Sequence, residues 1–218
     1  MRLGAARRTL TMPPTPVRRV YLASRSARRR EILMQMGVRF EMLLLREGPA
    51  RGSDFDETPL PGESPVDYVL RVARLKAEVG WMRMNQRRLQ TLPILSADTT
   101  VTLDGEIIGK PAGREDAVHI LRRLSDREHE VHTAVAVQLE HRVEVALSSS
   151  KISFKPLTES VIRNYVATGE PLDKAGAYGI QGKAALFVRN LSGSHSGVVG
   201  LPIFETGELL ARFGMELP

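Results

Sequence analysis

The chain has 218 residues, of which 42% are hydrophobic, and contains no cysteine. This length and composition allow a full hydrophobic core in one large domain or two closely joined lobes, and they exclude a disordered or fibrous protein, disulfides and thiolate chemistry. The formal net charge of +6 favours a polyanionic partner, either nucleic acid or a small phosphate ester, and the sequence has no apolar run as long as a membrane span.

Residues 1–19 contain several arginines and prolines but no acidic residue. This composition predicts a disordered basic tail ahead of a single folded domain over residues 20–218. If translation began at Met12 instead of Met1, most of this tail would be absent. A transit peptide or a nucleic-acid-binding arm is the alternative interpretation of the same residues.

A short buried strand is predicted over residues 20–23, a helix over residues 27–36 and a second strand over residues 40–45. The junction at residues 24–30 reads SRSARRR. Hydroxyls, backbone N–H groups and guanidinium groups at a helix N-terminus form a suitable phosphate cradle. The alternative is an exposed basic first turn with Ser26 as N-cap.

An acidic loop that contains Glu57 precedes the next helix. Ser64 as N-cap and Pro65 at the first helical position predict the start of this helix, which we expect to run to about Gly80. The polar segment 82–90 is predicted to hold the end of this helix and a connector. Lys76 belongs to its basic side, and a basic helix side is often simply solvated.

A lone carboxylate, Asp98, follows the apolar run 92–95 and precedes a second β-prone run, 100–103, and an Asp104-Gly105 turn. The pattern predicts a strand, then an exposed acid at its end, then a hairpin. An acid at this place can hold a metal or accept a proton from water, provided that an anionic ligand lies beside it. The alternative is that Asp98 serves only as a turn residue.

Lys110 is enclosed by a glycine and a proline, which constrain the backbone and aim the ammonium group. We expect a helix over residues 115–124 and a hairpin of two long strands over residues 130–139 and 142–154. The histidines show no shared metal-binding spacing, and we interpret them as ordinary residues: His119, His129, His132 and His141.

Residues 169–182 read GEPLDKAGAYGIQG, which is poor material for regular structure. Long loops of this kind are uncommon unless they are functional, so this segment is predicted to line a pocket. It follows a helix that is predicted to begin at Thr158 as N-cap and to run to residue 168. After it we predict a strand at 186–191, a loop of small residues at 192–197 and a last helix at 202–213.

The order of elements predicts an α/β fold with a mixed β-sheet flanked by helices, because strands and helices alternate irregularly and include hairpins. The polar loops contain neither a glycine-rich dinucleotide fingerprint nor a P-loop. This argues against nicotinamide cofactors and P-loop nucleotide hydrolysis.

Together these motifs resemble the Maf family, nucleoside triphosphate pyrophosphatases related in fold to the inosine triphosphatases. The similarity covers about residues 20–213, and the string DKAGAYGIQG at 173–182 is similar to the YhdE-type branch. Arg25 and Ala27 depart from the pattern, since the family usually has a small residue and a proline there. The motifs in chain order are LASRSARR with EIL at 22–33, DE at 56–57, Arg71 with KA at 76–77, ADT at 97–99, GKP at 109–111, residues 169–182 and VGLP at 199–202.

The resemblance implies an elongated sheet with a nucleotide cleft between two lobes, and hydrolysis of a nucleoside triphosphate to the monophosphate and pyrophosphate. It also implies a divalent cation, Mg²⁺ or Mn²⁺, a cytoplasmic location and a homodimer. The implied roles are Asp98 as proton acceptor, Arg28, Thr99 and Gln181 in substrate specificity, Ser24, Arg29, Lys76 and Lys110 in phosphate binding, and Glu57 with Asp98 in metal binding.

The choice of base follows from Gln181, whose neutral amide offers one donor and one acceptor to the N3–H and O4 edge of uracil or thymine. In a sister branch that acts on 7-methylguanosine triphosphate, an acid replaces this glutamine and a glutamine replaces Thr99. The sequence therefore predicts dTTP and UTP as substrates, with 5-modified uridine triphosphates as a further option.

Two other classes of function are alternatives to the enzyme. A nucleic-acid-binding protein would use the basic tail and the arginine-rich junction, but aromatic residues make up only 5% of the chain, so stacking platforms are scarce. A regulatory protein that restrains cell division, without essential catalysis, is the other alternative.

Overall fold

The computed structural model describes residues 19–46, 54–215 and 217. Residues 1–18 of the predicted tail lie outside the described residues. The strands are β1 (Arg19–Leu22), β2 (Arg39–Met42), β3 (Ile94–Leu103), β4 (Glu106–Ile108), β5 (Glu128–Leu139), β6 (Arg142–Phe154) and β7 (Val188–Ser192). The helices are α1 (Ala27–Gln35), α2 (Pro65–Gln86), α3 (Arg114–Leu124), α4 (Glu159–Ala167), α5 (His195–Val199) and α6 (Ile203–Arg212).

The strands of the described residues form one mixed sheet in the order β2-β1-β3-β5-β6-β7, with β4 paired to β3. β1 is parallel to both β2 and β3, and the remaining pairs are antiparallel. The predicted α/β class with a mixed, helix-flanked sheet is therefore confirmed. Within the described residues, no helix combines the length and the apolar character that a membrane crossing needs.

Three helices begin at the polar residues that predict them. The side chains of Ser26, Ser64 and Thr158 accept hydrogen bonds from backbone N–H groups in the first turns of α1, α2 and α4. α2 continues past Gly80 to Gln86, so the helix ends within residues 82–90, where its end and a connector were predicted. A Cβ at Gly80 would lie 2.7 Å from Ile94 Cγ2, so this glycine allows close packing of α2 on the sheet.

Two predicted loops contain regular structure. The segment 192–197 includes the start of α5, which is capped by Ser194. The segment 169–182 contains the short 3₁₀ turns Glu170–Asp173 and Ala175–Ala177, and another turn, Lys183–Phe187, precedes β7.

The edge of the sheet has a gap beside the middle of β3. β1 pairs with Ile94 and Leu95, whereas β4 pairs with β3 only from Val101 onward. Residues 96–100 are therefore bonded to β5 on one side, and on the other side no described strand pairs with them. The chain segments that leave β1 and β4 flank this gap.

Asp98 lies in the middle of β3, opposite Ala134 of β5. The prediction of an exposed acid at a strand end was wrong. The strand continues because Thr99 and Thr100 are β-branched and because β5 offers an unbroken partner along its length.

Two apolar clusters define two lobes. The first joins β1 and the start of β3 to α1 and α6, and the second joins the end of β3 to α3, α4 and β6. α2 covers the opposite face of the sheet. Buried members of the first cluster include Leu22, Leu33, Leu95, Leu209 and Leu210, and those of the second include Val101, Leu121, Phe154, Ile162 and Phe187.

Candidate active site

A cleft of about 970 Å³ lies between the lobes, at the gap in the sheet edge. The structure brings together all of the site residues that the sequence singled out. They come from the β1–α1 junction, the loop before α2, α2 itself, β3, the segment after β4 and the segment after α4. The lining includes Ser24, Arg28, Arg29, Glu57, Lys76, Asp98, Thr99, Lys110 and Gln181.

A buried ammonium group joins the two carboxylates of the cleft. Lys76 is only 5% exposed, and its Nζ lies 2.8 Å from Asp98 Oδ1 and 2.5 Å from Glu57 Oε1. Burial opposes the charged form of Lys76, but attraction to Asp98 and Glu57 outweighs it and raises the pKa above the usual value. The cluster thus holds both carboxylates at one point of the cleft wall.

The loop that carries Glu57 is attached to α2. Arg71 of α2 donates to both carboxylate oxygens of Glu63 and to the carbonyl of Thr58. The hydrogen bond from Arg71 lowers the pKa of Glu63 to about 2. Since Lys76 lies just over one turn further along the same helix, the loop and the ammonium group are fixed by one element.

Arg29 connects the β1–α1 junction to β3 and to the end of α5. Its Nε donates to Gly200 O at 2.8 Å, and its terminal nitrogens donate to Ser24 Oγ at 3.0 Å and Thr99 Oγ1 at 3.3 Å. Thr99 Oγ1 lies 3.0 Å from Thr133 Oγ1, which donates to Gly197 O. This network sets the guanidinium plane against the gap.

The opposite side of the cleft is built from irregular segments. Gly176 N donates to Gly109 O at 3.1 Å, which anchors the segment after α4 next to Lys110. Gly176 has φ of +70°, and a Cβ there would lie 2.9 Å from Val101 Cγ2, so only glycine fits. The Lys110 side chain is exposed and has no polar partner among the described residues.

Sequence interpretation missed Tyr68 as a lining residue. Burial, followed by the charges of Asp98 and Glu57, raises the pKa of its hydroxyl. The sequence signal that could have identified Tyr68 is its position about two turns before Lys76, on the same helix.

The donor set fits a divalent cation of the magnesium type. Among the described residues, no group of three or more His, Asp and Glu side chains is arranged to hold a metal. Glu57 and Asp98, however, converge on Lys76 within the cleft. Mg²⁺ usually takes one or two carboxylates and completes its shell with water and substrate phosphates, so two carboxylates are sufficient.

Histidines take no part in this arrangement. His129 Nε2 lies 2.8 Å from Tyr178 Oη, and His132 Nδ1 lies 2.8 Å from Ser149 Oγ. They act as structural residues of the sheet.

The cleft at the edge of this mixed sheet contains guanidinium groups and two carboxylates that Lys76 joins. These features define a protein that binds a phosphate-bearing ligand. Comparison with known sequences agrees with this class. The model of the Maf family, described as Maf-like protein, matches residues 19–213, and the chain belongs to this family.

Curated relatives are similar over almost their whole length. A dTTP/UTP pyrophosphatase of Dechloromonas aromatica is 56% identical, with 90% of this chain and 98% of the relative covered. Proteins of the same name from Aromatoleum aromaticum and Nitrosomonas europaea are 54% and 52% identical, each over 91% of this chain and covering 97% and 96% of the relatives.

Proposed function

We propose that this protein hydrolyses dTTP and UTP to the nucleoside monophosphate and pyrophosphate. The observation that carries the proposal is the meeting of Asp98, Lys76 and Arg29 with Gln181 in one cleft. The names of relatives that are more than half identical support the same substrates.

The triphosphate is proposed to lie along the gap in the sheet edge. Ser24 and Arg29 come from the end of β1 and the start of α1, where backbone N–H groups favour anions. Lys110 faces them from the segment after β4. Cations on both sides offset the charge that develops when pyrophosphate leaves.

Asp98 is proposed to orient the attacking water and accept its proton. Lys76 Nζ donates to Asp98 Oδ1 at 2.8 Å, and Asp98 Oδ2 has no hydrogen-bond partner among the described residues. Because the side chain is only 14% exposed, it is held in place within the cleft. Lys76 then acts as a positioning residue in addition to its predicted contact with phosphate.

A divalent cation, Mg²⁺ or Mn²⁺, is proposed to be held by Glu57 and Asp98 together with the substrate. When bound, it would polarise the water and neutralise phosphate charge. Glu57 is well placed for this role because the Arg71–Glu63 contact fixes its loop.

Gln181 is proposed to bind the base edge, with Arg28 and Thr99 as the other specificity positions. The glutamine amide complements N3–H and O4 of uracil and thymine. Arg28 lines the same cleft. We also propose that the protein acts in the cytoplasm, where these nucleotides are present, and as a homodimer, which measurement of its mass in solution would test.

The proposal is tested by pyrophosphate release from dTTP, UTP, CTP, GTP and 7-methyl-GTP with Mg²⁺. Asp98→Asn keeps the shape of the side chain but removes the proton acceptor, so we expect activity to fall by at least about a hundredfold. Chelation of the divalent ions should abolish turnover, and added Mg²⁺ should restore it.

The matched control is Asp116→Asn, on α3, whose carboxylate accepts from the backbone N–H of Ala112 and lies outside the cleft. It should retain wild-type activity. If folded wild-type protein releases no pyrophosphate from any of these nucleotides, or if 7-methyl-GTP is the better substrate, the proposed function or the proposed base preference is wrong.

A further inference from the structure

Gln181 lies at the tip of a tight turn, Gly179–Gly182, which we call the Gln181 turn. Gly182 N donates to Gly179 O at 3.0 Å and closes the turn. The Gln181 side chain itself is exposed. Ile180, beside it, packs against the apolar clusters of both lobes, so the turn bridges the cleft.

Both ends of the turn are held by side chains that approach from α4 and its C-terminal end. Gly179 N donates to Tyr165 Oη at 3.3 Å, and Lys183 N donates to Glu170 Oε2 at 3.2 Å. Tyr165 Oη in turn donates to Glu170 Oε1 at 3.0 Å. The phenol and the carboxylate therefore form one connected support that brackets the residue proposed to bind the base.

Neighbouring residues leave room for Glu170 and hold Tyr165 and Glu170 in place. A Cβ at Gly182 would collide with the Glu170 carboxylate, so the glycine leaves the space that the carboxylate occupies. The Tyr165 ring is 4% exposed and packs edge-on against Phe187 with 5.0 Å between ring centroids. Lys174 Nζ donates to Glu170 O at 2.6 Å and fixes the backbone of Glu170.

We propose that Tyr165 and Glu170 are positioning residues for base selection, because they hold the Gln181 turn at the distance from the cleft at which the amide fits uracil and thymine. This inference rests on the proposed function. An exposed amide on an unsupported turn could shift or rotate and donate or accept at other base edges, so discrimination depends on the fixed backbone.

The test compares kcat and KM for UTP, dTTP and CTP in Glu170→Ala, Glu170→Gln and Tyr165→Phe. In the alanine and phenylalanine variants we expect KM for UTP to rise about tenfold with kcat within about twofold, because base contacts contribute binding rather than chemistry. The preference for UTP over CTP, measured as the ratio of kcat/KM, should fall about tenfold.

Glu170→Gln is the rescuing variant. Its amide oxygen can still accept from Lys183 N, and its NH₂ group can donate to Tyr165 Oη, so discrimination should stay close to that of the wild type. The control is Glu159→Ala on α4, the helix that carries Tyr165. It loses ion pairs with Arg122 and Arg163 away from the cleft and should leave the UTP/CTP ratio unchanged.

A merely structural role would lower the melting temperature while leaving the UTP/CTP ratio unchanged, and that result would overturn the inference. A glutamine variant as impaired as the alanine variant would also overturn it. If Glu170→Ala does not fold, Tyr165→Phe carries the test because it keeps the buried ring. Wild-type protein without turnover would instead overturn the proposed function and this inference with it.

Discussion

Different kinds of interaction hold the two sides of the cleft in place. On one side, Lys76 is buried against Asp98 and Glu57, and attraction between opposite charges positions the three groups. On the other side, Gln181 is exposed, and its position depends on neutral backbone donors that bind Tyr165 and Glu170. Disturbing the first side leaves a charge without its partner, whereas disturbing the second removes hydrogen bonds to neutral backbone groups.

This difference separates the proposed chemistry from the proposed choice of base. A change in the ionic cluster should affect kcat and stability together, because it leaves a buried charge without a partner. A change near the Gln181 turn should affect KM and the preference between nucleotides.

Lys76→Met should have the largest effect. It removes the ammonium that joins Glu57 and Asp98, so the two carboxylates repel one another in a buried setting. We expect the free energy of unfolding to fall by about 3 kcal/mol and kcat for dTTP to fall by at least about a hundredfold. Urea unfolding and steady-state kinetics measure the two effects, with the exposed Lys155→Met as control. Wild-type kcat in the Lys76 variant would contradict the role of the cluster.

Tyr178, which precedes the Gln181 turn, contacts a buried titratable residue, His129. The His129 side chain is 2% exposed. Burial lowers the pKa of His129 to about 4 from its usual 6.5, and Glu128 opposes this only in part. Between about pH 4 and pH 6.5, His129 therefore binds a proton in the unfolded chain but not in the folded chain. Stability is complete above about pH 6.5 and should fall by about 2 kcal/mol as the pH approaches 4.5.

Urea unfolding at several pH values measures this loss. The matched variant is His129→Phe, which keeps an aromatic ring against Phe154 but cannot be protonated. It should show a flatter dependence of stability on pH over the same range, whatever its absolute stability. Equal slopes for the two proteins would show that His129 is not the residue responsible.

Gln181→Glu tests the base side directly. The carboxylate keeps the acceptor for N3–H but loses the donor for O4, so KM for UTP should rise about tenfold while kcat changes little. A negative charge also favours a cationic base, so turnover of 7-methyl-GTP relative to UTP should increase. Steady-state kinetics on both nucleotides provide the measurement. A large fall in kcat without a change in preference would remove the separation between the two sides.

Thr133→Val should have the smallest effect. It removes the donor to Gly197 O and the partner of Thr99 Oγ1 but keeps the β-branched shape. We expect a loss of about 1 kcal/mol in stability and only a few-fold change in kcat, because Arg29 still contacts Thr99. Thermal unfolding and dTTP kinetics check this, and the conservative Thr133→Ser should restore most of the loss.

Local signals predicted much of the framework. Ser26, Ser64 and Thr158 each accept from a backbone N–H as N-caps, which depends only on neighbouring residues. The turn at Glu140 joins β5 and β6 as predicted, and Glu140 adopts φ of 54° there. Local signals did not reveal the role of Gly80, which lets α2 pack closely on the sheet.

The composition of the site was also predictable, because its residues stand in short motifs that resemble a known family. All of the predicted positions line one cleft. Their contacts were not predictable. The pairing of Lys76 with Asp98 joins residues 22 positions apart, and the contact of Arg29 with Gly200 spans 171 positions. Nothing in the local sequence encodes either distance.

Periodicity, capping and motif spacing are enough to predict the class of fold, the helix starts and the set of polar residues for a phosphate-bearing ligand. The position of Asp98 in mid-strand, at a gap in the sheet edge, depends instead on tertiary contacts. The support that Glu170 gives to the Gln181 turn depends on them as well. The reason is that strand pairing and side-chain burial are settled by contacts between distant segments, which form only when the whole chain folds.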